Sequence, residues 1–581
     1  MRSHKTITFM DWSTPDSRAS HISGKYHEWQ SYKEKAMARW EETEAYVYAT
    51  DTTSLPGGTN FDHTTHIPIV HEIYEELCSI LYSTVLPHED YLGWLGFDSE
   101  ANTREKRDKA LAYIKNRHSL NGFRKSIDTL ISDLVIYGIC FAQVQHVNRS
   151  LVGENGIGVS GYIGPVVKRF SPYDVTIDPT APSFEASPKV IRSLVSMGEF
   201  IALAEKGNWD KEVVQGIIDK RGSYSGVDFS DKHKNKQYTP DGFGNIELYY
   251  QSGMVELLWF YGDVFDEDEL KVHRNRCIVV ADRCRSLSDT ECLHPDIFCA
   301  TWKAKPDNLW SQGPLDQIVG LNYQINHREN ALSTSIDRFI FPDRVHLGDV
   351  EVQYNPSNGN ITYYAPEGGG VQDLSPDATV LTYDNQIEKL SSKARMAVGL
   401  PPSLAGFRSP GEKTAFEVQS LHDGAFRSFV HKAERFEMDV VEKVVNAELR
   451  LGLENLDSVL QVPAQSPDGL PTFLKITRED LTSNGKLVPW GARRFTLQNK
   501  QLNVLSMLAN SNLGQLIGAH MNTYKLARVV EELGGLNDFK VFDKFAAIEE
   551  QFEQQQLVNM AQQMQASELQ RPSLEEEMLN G

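Results

Sequence analysis

The chain has 581 residues, 40% of them hydrophobic and 24% charged, the composition of a folded protein rather than a disordered or fibrous one. Its net charge of −21, from 58 basic and 79 acidic side chains, argues against a tight nonspecific grip on nucleic acid over the whole surface, because phosphate neutralisation dominates such affinity. Six cysteines are too sparse for a disulfide scaffold, and no apolar run reaches the ~18 residues of a membrane span.

The opening MRSHKTITFMDWSTPDS has no apolar signal core, so a cytoplasmic origin without export is expected. A helix is predicted from about Glu28 to Tyr48 and another from about Ile67 to Leu86. The second carries Ile69, Ile73, Leu77, Ile80 and Leu81 at helical spacing. Two more helices are predicted between Thr103 and Tyr137. After Gly138 the pattern becomes extended, in CFAQVQHV, GYIGPVVKRF and DVTIDP, with Gly and Asn as punctuation. A short helix near Ser196 to Lys206 and a polar, Gly-rich surface loop from Gly222 to Asn245 follow. Strands are then predicted in MVELLWFYGDVF, RCIVVADR and IFCATWKA.

From Pro314 the organisation changes. Leu315, Ile318, Leu321, Ile325, Leu332, Ile336 and Phe339 form the stripe of a long helix reaching about Phe339. EVQY and ITYYA flank NPSNGN, where Asn358-Gly359 signals a hairpin turn. A strand in TVLTY leads to a second helix from about Asn385 to Val398, so two helices flank a small β module. The loop GLPPSLAGFRSPGE ends at Lys413 and Thr414, where the longest helix begins. Val418, Leu421, Ala425, Phe429, Ala433, Phe436, Val440, Val444, Ala447 and Leu451 mark that helix, a rod of roughly 57 Å at ~1.5 Å per residue. Strand-like segments return in FLKITREDL and LVPWGARRF. Helices resume from about Leu497 through Phe545, and a Gln/Glu-rich end closes in an acidic tail from Pro572.

Four features invite an enzymatic or metal reading. GIGVSG (Gly156 to Gly161) matches a dinucleotide fingerprint in letters only, because a strand rather than a helix follows, and a hairpin loop is the better reading. GFRSPGEKT (Gly406 to Thr414) lacks a Lys directly after its second Gly, and Glu412 puts negative charge where phosphate would sit. Cys277, Cys284, Cys292 and Cys299, near His273 and His294, lack the close pairing of structural zinc ligands and read as buried free thiols. The run from Asp266 to Glu269 reads as a solvated turn. No catalytic, cofactor or metal residues are therefore assigned, and the chain is expected not to be an enzyme.

The order of these parts resembles the portal proteins of tailed bacteriophages, of the short-tailed-phage and related types. The likeness covers about Ile67 to Phe545 and is most specific from Trp302 to Leu421. It is carried by DLVIYGICFAQVQ, RFSPYDVTIDP, LWSQGPLDQIVGLNYQINHRENAL, AVGLPPSLAGFRSPGEKTAFEVQSL and ITREDLTSNGKLVPWGARRF.

The resemblance implies an α+β, predominantly helical portal fold in an elongated ring subunit with wing, stem, clip and crown regions. On that reading 1–30 is an N-terminal arm, 31–313 the wing, 314–339 the first stem helix and 340–384 the clip. The second stem helix is 385–399, the tunnel loop 400–412 and the long spine helix 413–452. Wing return strands take 453–496, crown helices 497–547, and a Gln/Glu-rich helix and tail 548–581. It further implies a homo-oligomeric ring, usually a dodecamer, at the capsid vertex of a virion assembled in the host cytoplasm. Double-stranded DNA would pass through the ring during packaging and ejection. Terminase, then adaptor or tail proteins, would dock on it, with the major capsid protein and scaffold around it, and neither cofactor nor membrane would be involved. Channel-facing residues would be Gly406, Phe407, Arg408 and Lys413, although Arg408 and Lys413 could equally pair with Glu412 or Glu417. Clip contacts would come from Glu351, Gln353, Asn358, Thr362 and Tyr364. The alternatives are a nucleotide-dependent DNA translocase and a zinc-dependent nucleic-acid-binding protein.

Overall fold

The computed structural model describes residues 6–48, 65–87, 91–97, 104–148, 151–152, 158–159, 162–221, 254–266, 269–303, 308–347, 351–354, 361–364, 370–374, 383–400, 429–456, 460–465, 471–478, 481 and 484–491. The chain divides into two units, Met1–Ala492 and Arg493–Gly581, and every described residue belongs to the first. The expected crown helices, the C-terminal tail and the loop at 222–245 lie outside the described residues. The fold is α+β, and no described helix is long and apolar enough to cross a membrane.

Strand β1 (Ile7–Met10) precedes α1 (Pro15–Tyr48), which begins well before the predicted Glu28. The start is written in STPDS. Thr14 Oγ1 accepts from Ser17 N at 3.1 Å, Pro15 takes the first helical position, and Asp16 lies in the first turn. Apolar periodicity understates this half of α1 because it is polar on most of its circumference. Only Ala19, Ile22, Tyr26 and Trp29 face the core there.

Next come α2 (Ile69–Val85), β2 (Leu92–Gly96), α3 (Arg104–Asn121) and α4 (Phe123–Tyr137), with left-handed Gly122 breaking α3 from α4. Strands β3 (Ile139–Asn148), β4 (Leu151–Val152), β5 (Gly158–Val159) and β6 (Ile163–Phe170) follow. Within GIGVSG only Gly158 and Val159 are described, and they form β5, paired antiparallel with β4. The chain continues through β7 (Val175–Ile177), β8 (Lys189–Ser196), α5 (Met197–Gly207) and α6 (Lys211–Arg221). It then forms β9 (Met254–Asp266), β10 (Lys271–Ala281), β11 (Arg285–Glu291) and β12 (Ile297–Thr301).

One sheet has the order β11-β10-β9-β8-β7, with β1 added parallel to β9. Its two faces alternate by residue. Leu258, Phe260, Val264, Ile278 and Val280 meet the first half of α1, whereas Val255, Leu257, Val279 and Ala281 meet α5 and α6. A second sheet, β12-β3-β6, belongs to the largest core with α2, α3 and α4. Each fully buried Ile, Leu or Phe there contributes roughly 1.5–3 kcal/mol.

Two buried carboxylates in this body are held by arginines. Glu256 on β9 meets Arg192 at 2.6 Å and Arg283 at 2.7 Å. Burial alone would raise its carboxyl, but the two guanidiniums hold it below the usual carboxylate range. On α4, Asp133 receives two hydrogen bonds from Arg169, at 2.6 and 2.7 Å. Burial pushes that carboxyl up to about 6 even though Arg169 opposes the shift.

With its folded value above the unfolded one, Asp133 favours the fold most below about pH 4, and this contribution is lost as pH rises through about 6. Above that, the ionised carboxylate depends on Arg169. Arg169→Met should therefore destabilise the protein by roughly 3 kcal/mol at pH 8 and by clearly less at pH 5. Chemical denaturation at the two pH values measures the difference.

A candidate conduit module on a two-backbone crossing

The segment after β12 passes directly against the junction of α4 and β3. Gly138 ends α4 with φ +73°, and a Cβ placed there would lie 2.4 Å from Gln312 C and from Gly313 N. A Cβ on Gly313 would in turn meet Ile136 O at 3.0 Å and Val135 O at 3.1 Å. Two backbones thus touch where both residues lack side chains. Trp302 N donates to Gly138 O at 2.8 Å on the same junction.

Polar anchors converge on this crossing. Asp316, at the 3-10 turn Leu315–Gln317, accepts from Gly313 N at 3.2 Å, Thr43 Oγ1 at 3.1 Å and Arg39 Nη1 at 3.2 Å. Burial raises its carboxyl and Arg39 counters that. Beside it, Trp310 lies edge-on to Trp40 at 5.8 Å. Fully buried Lys33 donates to Pro172 O, Tyr173 O and Val175 O at 3.1, 2.7 and 2.9 Å, and its ammonium sits 5.4 Å from the Trp310 ring centre. Three donors meet three acceptors, which makes a fully buried ammonium tolerable. Sequence reasoning missed Lys33, yet a signal was present: it stands four residues after Trp29 and seven before Trp40, in the buried stripe of α1.

From this base rises α7 (Val319–Ile340), in the span expected for the first stem helix. Asn330 Oδ1 accepts from Thr65 N at 2.7 Å and Asn326 Oδ1 from Ile67 N at 3.0 Å, fastening α7 to the segment before α2. Strands β13 (Asp343–Leu347), β14 (Glu351–Tyr354), β15 (Ile361–Tyr364) and β16 (Gly370–Leu374) follow. β14 pairs with β15 inside the outer pair β13 and β16. The inner hairpin is the predicted one. The outer pair was not predicted, because DRVHL and GVQDL are short and polar. Of TVLTY, residues 379–382 lie outside the described residues, and Tyr383 opens α8 (Tyr383–Val398). Helix α8 packs along α7 through Ile387, Leu390 and Ala394. Its Arg395 reaches Glu76 at 2.6 Å and Glu72 at 3.1 Å on α2.

The long helix is described from residue 429: helical residues 429–436, a π turn at Glu437–Val441, then α9 (Glu442–Asn455). Lys432 Nζ donates to Trp302 O at 2.6 Å, tying this helix to the end of β12 near the crossing. Glu448 on α9 is wholly buried and meets His118 Nε2 at 2.5 Å, while Nδ1 of the same ring contacts the Tyr91 hydroxyl. The return strands β17 (Leu460–Gln465) and β18 (Pro471–Ile476) pair with each other, and β19 (Gly485–Pro489) pairs with β2.

The residues expected to act fall unevenly. Glu351 and Gln353 are exposed on β14, and Thr362 and Tyr364 belong to its partner β15. Asn358, Gly406, Phe407, Arg408 and Lys413 lie outside the described residues. Of the four clustered cysteines, Cys277 is buried, Cys292 and Cys299 are half-buried, and Cys284 is exposed. Burial pushes the Cys277 thiol up to about 12 and raises Cys292 and Cys299 as well.

The far end of α7 was not singled out from sequence. Its last buried residue is Thr334. Beyond it Ile336, Phe339, Ile340 and Phe341 are exposed, the last by 79%. On the β module Val345, Leu347 and Val352 are exposed as well, and Glu351, Val352 and Gln353 are all exposed in succession, so β14 buries neither face over these three residues.

Gly138→Ala should cost roughly 3–5 kcal/mol, from left-handed strain plus the backbone clash, in thermal or chemical denaturation. Ile340→Ser with Phe341→Ser should leave monomer stability within about 0.5 kcal/mol, because neither side chain is buried, while lowering binding of an apolar-surface dye. A scan of protein-family models finds no match to this chain, and a search of curated proteins finds none either.

Proposed function

We propose that the chain is a ring-forming portal subunit, a conduit for double-stranded DNA at a capsid vertex that performs no chemistry itself. The observation that carries this reading is the excursion from α7 through four strands to α8. It is footed in the main body through Asp316, Asn326 and Asn330, yet the described apolar side chains at the end of α7 and on β13 and β14 are exposed. Two-stranded pairs without a buried face are marginal alone. Several large apolar side chains left exposed on one excursion call for a partner. Identical copies arranged head to tail around an axis would cover each module with the next and close the array. The net charge of −21 suits a wall past which DNA slides, since like charge disfavours adhesion.

In this reading the β module, with Glu351, Gln353, Asn358, Thr362 and Tyr364, docks terminase during filling and adaptor or tail proteins afterwards. The loop carrying Gly406, Phe407, Arg408 and Lys413 faces the DNA, and capsid protein and scaffold surround the ring. The packaging motor, not this chain, hydrolyses ATP.

A dodecamer of the 65.5 kDa chain has a mass of about 790 kDa. Sedimentation of the full chain should show one large closed species, which Ile340→Ser with Phe341→Ser reduces. ATP hydrolysis by the isolated protein that Lys413→Ala abolishes would instead favour the translocase alternative. Shortening the loop between Gly406 and Gly411 should impair DNA packaging or retention while rings still form. Unchanged packaging and retention would remove the loop from the channel.

A further inference from the structure

Asp266 ends β9, Glu269 lies in the turn, and His273 is on β10. The antiparallel register sets Lys271 opposite Asp266 and His273 opposite Val264, so the two-residue alternation puts Asp266 and His273 on one face of the hairpin. One carboxylate oxygen from each acid and one ring nitrogen of His273 lie within 4.8 Å of one another. Trp12, just beyond β1, stacks on the imidazole with centroids 4.4 Å apart and planes 8° from parallel, which fixes the ring. Nε2 of His273 is shut off from solvent and makes no hydrogen bond among the described residues. Buried ring nitrogens are ordinarily satisfied, so this one marks a place for a ligand.

We propose that Asp266, Glu269 and His273 bind one divalent transition-metal ion of the Zn²⁺ or Mn²⁺ type, with water completing its shell. Two carboxylates and an imidazole are a borderline donor set. They suit such ions better than Mg²⁺ or Ca²⁺, which prefer all-oxygen shells. Asp266 is buried and Glu269 exposed, so the site has an anchored side and an open one. Arg18 and Arg276, both over the Trp12 ring, are held by Asp289 at 2.8 and 2.5 Å. The ion would pin the β9–β10 turn beneath Trp12, and so fasten the strand that precedes α1 to the end of the sheet. This site is separate from the cysteine cluster and does not depend on the portal reading.

The test uses the full-length protein, stripped with a chelator and titrated with Zn²⁺ and with Co²⁺. The expected result is one ion per chain, a higher thermal midpoint with Zn²⁺, and a Co²⁺ spectrum without a thiolate charge-transfer band. Glu269→Gln and His273→Gln should each weaken binding tenfold or more. Because Glu269 is exposed, Glu269→Gln decides the question alone if His273→Gln fails to fold. Absence of stoichiometric binding, binding unchanged by Glu269→Gln, or a thiolate band pointing to Cys277 and Cys292 would each overturn the proposal.

Discussion

The contact of Gly138 with the backbone at Gln312 and Gly313 is the constraint from which the rest of the molecule is arranged. With a Cβ only 2.4 Å from peptide atoms, no other L-residue fits without moving one strand of chain away from the other. That closeness lets Trp302 bond to Gly138 O and lets Asp316 gather Gly313, Thr43 and Arg39. The backbone packing at the crossing and the side-chain anchors on Asp316, Asn326 and Asn330 together set where α7 leaves the body. Rotamer freedom at its base is correspondingly small.

Around the crossing, burial of charge is tolerated because partners are supplied. Lys33 spends all three ammonium protons on carbonyls, Glu256 is held by two arginines, and Asp133 by one. Such groups contribute little net stability, but leaving one of them unpaired is expensive. They select a single arrangement of α1, α4, β6 and β8. Beyond this body the reverse holds. The last turn of α7 and the described part of the β module keep apolar side chains in solvent. A rigid foot and an uncovered tip are what an element needs when its partners lie in other chains.

Much of the fold was legible in the sequence where periodicity was strong. The expected helices 67–86 and 196–206 match α2 and α5 within two residues, and Gly138 was recognised as the hinge from helix to strand. The early start of α1 was missed because its signal is capping chemistry in STPDS, not an apolar stripe. Strands β2, β11, β13 and β16 were missed because they are short, edge-placed or polar, and tertiary pairing rather than propensity makes them strands; β8, interior to its sheet and buried at Val190, Ile191 and Val195, was missed although its apolar residues were there to read. Of the candidate site, the helix–β module–helix order was readable, whereas its apolar tip was not. Ile336 and Phe339 fit a core stripe by spacing, and spacing cannot distinguish a core from an interface with another chain. Likewise Asp266 and Glu269 read as a solvated turn until the hairpin register brought His273 beside them.

Imaging the purified full-length protein at high concentration tests the ring most directly. The portal reading requires closed rings with a central hole, built from many identical subunits. Particles that remain monomers or two-fold dimers would contradict it, because the uncovered tip of α7 and its β module would then have no neighbour to cover them.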